Sequence, residues 1–213
     1  MLTSAISLTF RAVINGEAEA SARFDPWLCG ARKALDSDTI HVLELLLGFS
    51  GRLLYFAEEL LFSFDALEPD RLEAGYDEYF AHLESLPAIA FTQMAANAVG
   101  RVYRDRGVFE TPPDTDDVAD WRMFLRPSIT RADINEAAAI ITNSNELKRR
   151  TLRLLDRFWR SYYQQDFDEN LPELQRAVRR ARQLAHPVVQ IEFSELTGHR
   201  LPDEIAQHLT EVE

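Results

Sequence analysis

The spacing of hydrophobic positions changes once along this chain. Between Ala5 and Ile14, the residues Ile6, Leu8, Phe10, Ala12 and Ile14 alternate with Ser7, Thr9, Arg11 and Val13. A period of two predicts a β-strand. Asn15-Gly16 follows as a turn signal. The next stretch, EAEASARF, also alternates, but Ala and Glu prefer helix, so the reading is strand, turn and short helix rather than a hairpin. After Phe24 the period becomes helical.

Asp25-Pro26 predicts a helix start, with Trp27, Leu28, Ala31 and Leu35 on its apolar face. Asp38 or Thr39 is the expected cap of the next helix, through Ile40, Leu43 and Leu47. Gly48 to Gly51 predicts a break before Leu53, Phe56, Leu60 and Leu61. The segment Pro69 to Leu86 puts Leu72, Tyr76, Tyr79, Phe80 and Leu83 on one face. Pro87 opens a helix carrying Ile89, Phe91, Met94, Ala98, Val99 and Val102. Thr130 followed by Asp133 predicts the capped start of a helix over 131–141. The clearest stripe is Leu147, Thr151, Leu154, Leu155, Phe158, Trp159, Tyr162 and Tyr163. A break is expected at Asp166 to Asn170, followed by a further helix through Leu171, Leu174, Ala177, Val178, Ala181 and Leu184. The expected fold is therefore mainly α: a multi-helix bundle with one short N-terminal β-strand.

The acidic, Pro-containing stretch Asp105 to Asp120 is the only long linker candidate. The reading is a single helical domain over 1–213, with 1–104 and 121–213 as sub-halves. A chain of 213 residues with 46% hydrophobic residues is long enough to bury a core. Eight Gly and nine Pro argue against a turn-rich all-β fold. The apolar window Ile40 to Phe64 carries Glu44, Arg52, Glu58 and Glu59, so it reads as a core helix pair and not a membrane span. The opening MLTSAISLTF lacks a basic region in front of its apolar stretch and does not read as a signal peptide. With the single cysteine, Cys29, this leads to a cytoplasmic expectation. A net charge of −12 argues against sequence-independent nucleic-acid binding by the whole chain.

Common catalytic signatures are absent: no glycine-rich phosphate loop, no nucleophile elbow and no H-E-x-x-H. His41 and Glu44 lie one helical turn apart. A carboxylate-bridged di-metal bundle needs the opposite order and a second copy, so the pair reads as a polar helix face and no metal is expected. Asp114, Asp116 and Asp117 lack the spacing of a calcium loop and read as a solvated segment. Opposite the apolar stripe run Lys148, Arg149, Arg150, Arg153, Arg157 and Arg160. Glu146 to Arg182 holds ten basic and six acidic residues, against the acidic balance of the chain. Such a face is able to touch phosphate, but the reading is an ordinary charged surface with pairs such as Arg149–Arg153–Asp156. Trp121, Phe158, Trp159 and Tyr162 are the candidate lining of a ligand pocket, with solid core as the alternative.

Phe193-Ser194-Glu195-Leu196-Thr197-Gly198-His199-Arg200-Leu201-Pro202 resembles a segment of one group of ArsR-type winged-helix transcriptional regulators. In that group a long N-terminal region precedes the DNA-binding domain. The N-terminal strand followed by EAEASARFDPW is similar to the same group's opening. The resemblance implies a ligand-sensing or dimerising half of a regulator, acting as a homodimer on a hydrophobic effector. DNA would be reached through a winged-helix domain absent from this chain. No catalytic residue, cofactor or metal is implied. The cysteine pairs of the metal-sensing members are missing, so metal sensing is not carried over. The competing readings are a small helical enzyme with a site from His41, Glu44, Arg52 and Glu58, and a helical interaction scaffold.

Overall fold

A computed structural model describes residues 33–50, 54–65, 74–108, 110–113, 116–129 and 132–183, together with Ile6, Thr9 and Gly30. The chain divides into two compact units, Met1–Gln164 and Gln165–Glu213. In the first unit α1 (Ser37–Leu47) runs into a 3-10 turn at Gly48–Ser50. Then come α2 (Tyr55–Phe62), α3 (Tyr76–Ser85), α4 (Ala88–Asp105), α5 (Val118–Leu125), α6 (Ile134–Ile141) and α7 (Ser144–Phe158). A π-helical turn, Trp159–Tyr163, follows α7. The second unit contains α8, Gln164–Gln183, whose first residue lies in the first unit. The described residues are mainly helical and contain no strand. Of the predicted strand only Ile6 and Thr9 are described. Both are helical and buried; the rest of Ala5 to Ile14 lies outside the described residues. So do Asp25-Pro26 and the segment Phe193 to Pro202.

The core of the first unit forms around α4. Its buried face carries Phe91, Met94, Ala95, Ala98, Val99, Val102 and Tyr103. Small alanines between large side chains let neighbouring helices approach, and α2 and α7 pack on α4. α5 and α6 pack on each other, and α7 also meets α1, α3 and α6. Leu43, Phe49, Phe56, Leu83, Leu125 and Phe158 are among the fully closed side chains. The expected helix pair within Ile40 to Phe64 is thus largely core. Among the described residues no single helix is long and apolar enough to cross a membrane.

Capping chemistry sets the helix starts. Asp36, in extended backbone, accepts from the Thr39 amide at 2.8 Å and caps α1. The expected caps Asp38 and Thr39 instead lie within the first turn, where Thr39 is 2% exposed. Asp133 accepts from the amides of Asn135 and Glu136 at 2.7 and 3.1 Å, so α6 starts at Ile134. Asn143 caps α7 through the Glu146 amide, and Asp117 caps α5 through the Ala119 amide. The acidic stretch therefore yields its last residues to α5.

The expected break at Asp166 to Asn170 is not there: α8 runs through it and through Pro172. Acidic side chains near a helix N-terminus oppose no dipole and are favoured. Gln165 donates to Glu169 at 3.0 Å and Asn170 to the Asp166 carbonyl at 2.8 Å, one turn apart. The irregularity falls earlier, where the Gln164 amide bonds the Trp159 carbonyl five residues back.

Candidate functional site

The four aromatic residues predicted as a pocket lining occupy two places. Trp121 sits on α5, 3% exposed, edge-on to Phe124 at 5.8 Å between ring centres. Phe158 ends α7, fully closed, with Tyr162 tilted against it at 5.9 Å. Trp159 stacks on Tyr76 at 4.5 Å with the rings 10° from parallel, and meets Tyr163 edge-on. The wide turn of the π-helix brings Trp159 and Tyr163 to one face. Tyr162 is half-buried, and its hydroxyl donates to Asp36 at 3.4 Å.

None of these four lines any of three cavities found in the first unit. One is a small apolar space of about 20 Å³, bounded by Leu46, Phe56, Leu60, Tyr79 and Thr151. The Thr151 hydroxyl there is buried without a hydrogen-bond partner. That volume holds about one water molecule. A second, of about 410 Å³, lies between α5 and α6 beside Arg122, Met123 and Asn135. The third, of about 350 Å³, is a groove between α1, α6 and α7, and polar chemistry converges on it.

α7 supplies one wall. Arg149, Arg153 and Arg157 recur every fourth residue, with Arg150 beside them, so all four line the groove. They lie opposite the buried stripe of Leu147, Thr151, Leu154, Leu155 and Phe158, which fixes the helix rotation. α1 supplies Asp38, Thr39 and His41, and α6 supplies Glu136.

Carboxylates hold both ends. Glu146 accepts from Arg149 Nε at 2.7 Å and from Arg150 Nε at 2.8 Å. Glu136 bridges Arg150 at 2.9 Å and His41 Nε2 at 3.0 Å. At the other end Arg157 pairs with Asp36, and with Asp38 at 3.3 Å. The expected Arg149–Arg153–Asp156 ladder does not form. Arg149 turns back to Glu146, and Asp156 takes Arg160 at 2.6 Å. Arg153, exposed midway along the groove, has no ion pair or hydrogen bond among the described residues.

These pairs set the acidities. Hydrogen bonds from Arg149 and Arg150 bring the Glu146 carboxyl down from its ordinary 4.5 to about 2. Burial pushes Glu136 up, but its bonds to Arg150 and His41 outweigh that and hold it below the ordinary range. The Thr39 amide, helped by Arg157, lowers Asp36. The Thr39 hydroxyl lies close enough to Asp36 to add to this, without completing a hydrogen bond of normal geometry.

The other polar residues considered from sequence do not gather. His41 turns to Glu136 and not to Glu44, Glu58 pairs with Arg101 at 2.7 Å, and Arg52 lies outside the described residues. No group of three or more metal-ligating side chains occurs among the described residues. Asp36 and Glu136 were missed by sequence reasoning, since each meets its arginine from a different helix: Asp36 is 121 positions from Arg157 and Glu136 is 14 from Arg150. The groove brings together four guanidinium groups and His41; Arg149, Arg150 and Arg157 are paired with carboxylates, and Arg153 has no such pair among the described residues. Compared with protein-family models, with curated proteins and with solved structures, the chain matches none of them.

Proposed function

We propose that this chain is the sensing half of a transcriptional regulator of the ArsR type, and that it binds a small anionic effector in the groove between α1, α6 and α7. In this reading it acts as a homodimer, reaches DNA through a separate domain and catalyses no reaction. The observation that supports the anionic effector is the convergence of Arg149, Arg150, Arg153 and Arg157 on one groove of small-molecule size, with Arg153 lacking an ion pair or hydrogen bond among the described residues. Covalent catalysis would need a nucleophile beside a base. Here the imidazole of His41 is tied to Glu136, and the hydroxyl lining the groove, that of Thr39, belongs to a residue only 2% exposed. An anionic effector replaces the hydrophobic one expected from the aromatic stripe, because Trp121, Phe158, Trp159 and Tyr162 line none of the three cavities while the arginines line one.

Thermal unfolding of the full chain tests this. Small di- and trivalent anions, at constant ionic strength, are compared with neutral hydrophobic compounds. A ligand at about 100 times its Kd adds about 2.7 kcal/mol. That corresponds to a rise in Tm of roughly 5–10 °C for a chain of this length. Stabilisation by anions alone supports the reading. Stabilisation by hydrophobic compounds alone, or by nothing in either set, ends it.

A further inference from the structure

We infer that the groove takes a linear chain of phosphates, of the kind found in inorganic or nucleoside triphosphates, laid along α7 from Arg149 and Arg150 past Arg153 to Arg157. This rests on the reading of the groove as an anion site and goes on to name the chemical class.

Spacing is the first argument. Residues four apart rise by about 6 Å along a helix, so Arg149, Arg153 and Arg157 form a ridge roughly 12 Å long. A compact anion reaches one step of that ridge. Three phosphoryl groups in line span about one step between their outer phosphorus atoms, so a chain centred on Arg153 meets the outer arginines through their long side chains leaning inward. The tetrahedral phosphate and the planar guanidinium fork fit through paired N–H···O bonds.

Commitment of the end arginines is the second. Arg149 and Arg150 are engaged by Glu146 and Glu136, and Arg157 by Asp36 and Asp38. A single anionic group would gain only Arg153, which is exposed. A multivalent chain anchored at Arg153 gains at both ends, by taking over guanidinium donors from carboxylates that either become hydrated, as Asp38, or keep another donor, as Asp36 and Glu136. Asp38 is the easiest to displace, since its side chain is 77% exposed and its bond is 3.3 Å long. Glu136 keeps a partner when Arg150 turns away, because His41 donates to its other oxygen at 3.0 Å.

Size is the third. A groove of about 350 Å³ lies at the small end of ligand sites. It suits a short phosphate chain. A nucleic acid would extend past its ends onto a protein whose net charge is −12.

The test is calorimetric titration of the full chain, at fixed ionic strength and without divalent cations, with sodium triphosphate, orthophosphate, citrate, ATP and a single-stranded oligonucleotide. Triphosphate is expected to bind at least about tenfold more tightly than orthophosphate or citrate. Arg153→Gln is expected to weaken it about tenfold, the worth of one charge-assisted hydrogen bond. Arg160→Gln removes the same charge one turn outside the groove and is expected to leave binding within about twofold of the parent, as for a screened surface charge. Arg153 has no ion pair or hydrogen bond to lose among the described residues, so its variant is expected to keep the parent's circular dichroism and Tm. ATP binding as tightly as triphosphate assigns a nucleotide, and triphosphate alone an inorganic chain; both support the inference. Citrate or orthophosphate matching triphosphate overturns the phosphate chain while leaving an anion site. An oligonucleotide binding more tightly than triphosphate, or equal losses in the two arginine variants, also overturns it. Absence of binding by every anion removes the site itself.

Discussion

Trp121 and Trp159 are both nearly closed to solvent, yet their surroundings differ. Trp121 packs into the α5 face beside Phe124, and Trp159 lies flat on Tyr76. Offset stacking adds about 0.5–1.5 kcal/mol to the area buried. Truncation of a buried tryptophan to alanine costs about 3–5 kcal/mol through lost transfer energy and the cavity left behind. Trp121→Ala and Trp159→Ala are each expected to lose that much, read from urea midpoints. A loss under about 1 kcal/mol at either position would show a ring facing open space, as in a pocket. The helical stripe containing Phe158, Trp159 and Tyr163 was legible from residue spacing, because burial follows helix periodicity. Which rings meet was not. Tyr76 and Trp159 are 83 positions apart, and no local pattern couples them.

At the scale of elements, short polar side chains decide where helices begin. Asp133 accepts from two α6 amides, and these bonds hold its carboxyl below the ordinary range. Asp133→Ala is expected to cost about 1 kcal/mol. Asp133→Asn should recover most of that, since an amide oxygen caps nearly as well. Equal losses in the two variants, measured by thermal unfolding, would show that the charge and not the cap matters. Helix existence and order were readable from periodicity for α1 to α7 except α5, whose first residues were expected in a loop; of the buried faces, Ile89 on α4 was expected inward and is 52% exposed. Helix ends were less readable: the cap of α1 fell two residues before the nearer expected one. The acidic run at Asp166 to Asn170 resembles a loop in composition, but near a helix N-terminus the same charges are favourable, and α8 runs through it. The π-turn has no compositional mark. It follows from placing Trp159 and Tyr163 together on the buried face.

For the whole molecule, acid is the informative perturbation. Asp36, Asp133, Glu136 and Glu146 all have acidities lowered by folding. A depressed carboxyl contributes stability above its unfolded pKa and loses it as pH falls through the folded value. For Glu146 that window runs from the ordinary 4.5 down to about 2. Stability is therefore expected to decline across it, even though protonation also relieves the repulsion of a chain at −12. Glu146→Gln should be less stable than the parent near neutrality and should flatten the decline. A variant whose urea midpoints run parallel to the parent's across that range would show that the Glu146 pairs add nothing.

The local pattern of this sequence determined that the described chain is helical, which residues turn inward, and that α7 is basic on one side and apolar on the other. These properties follow from hydrophobic periodicity and side-chain spacing within single elements. Tertiary structure decided what faces that basic side. Packing brought Asp36 and Asp38 to one end and Glu136 and His41 to the other, with Arg153 between them and unpaired among the described residues. Ion pairs between helices depend on how those helices are stacked, and helix stacking is set by the apolar faces, which carry no record of the charges on the opposite side.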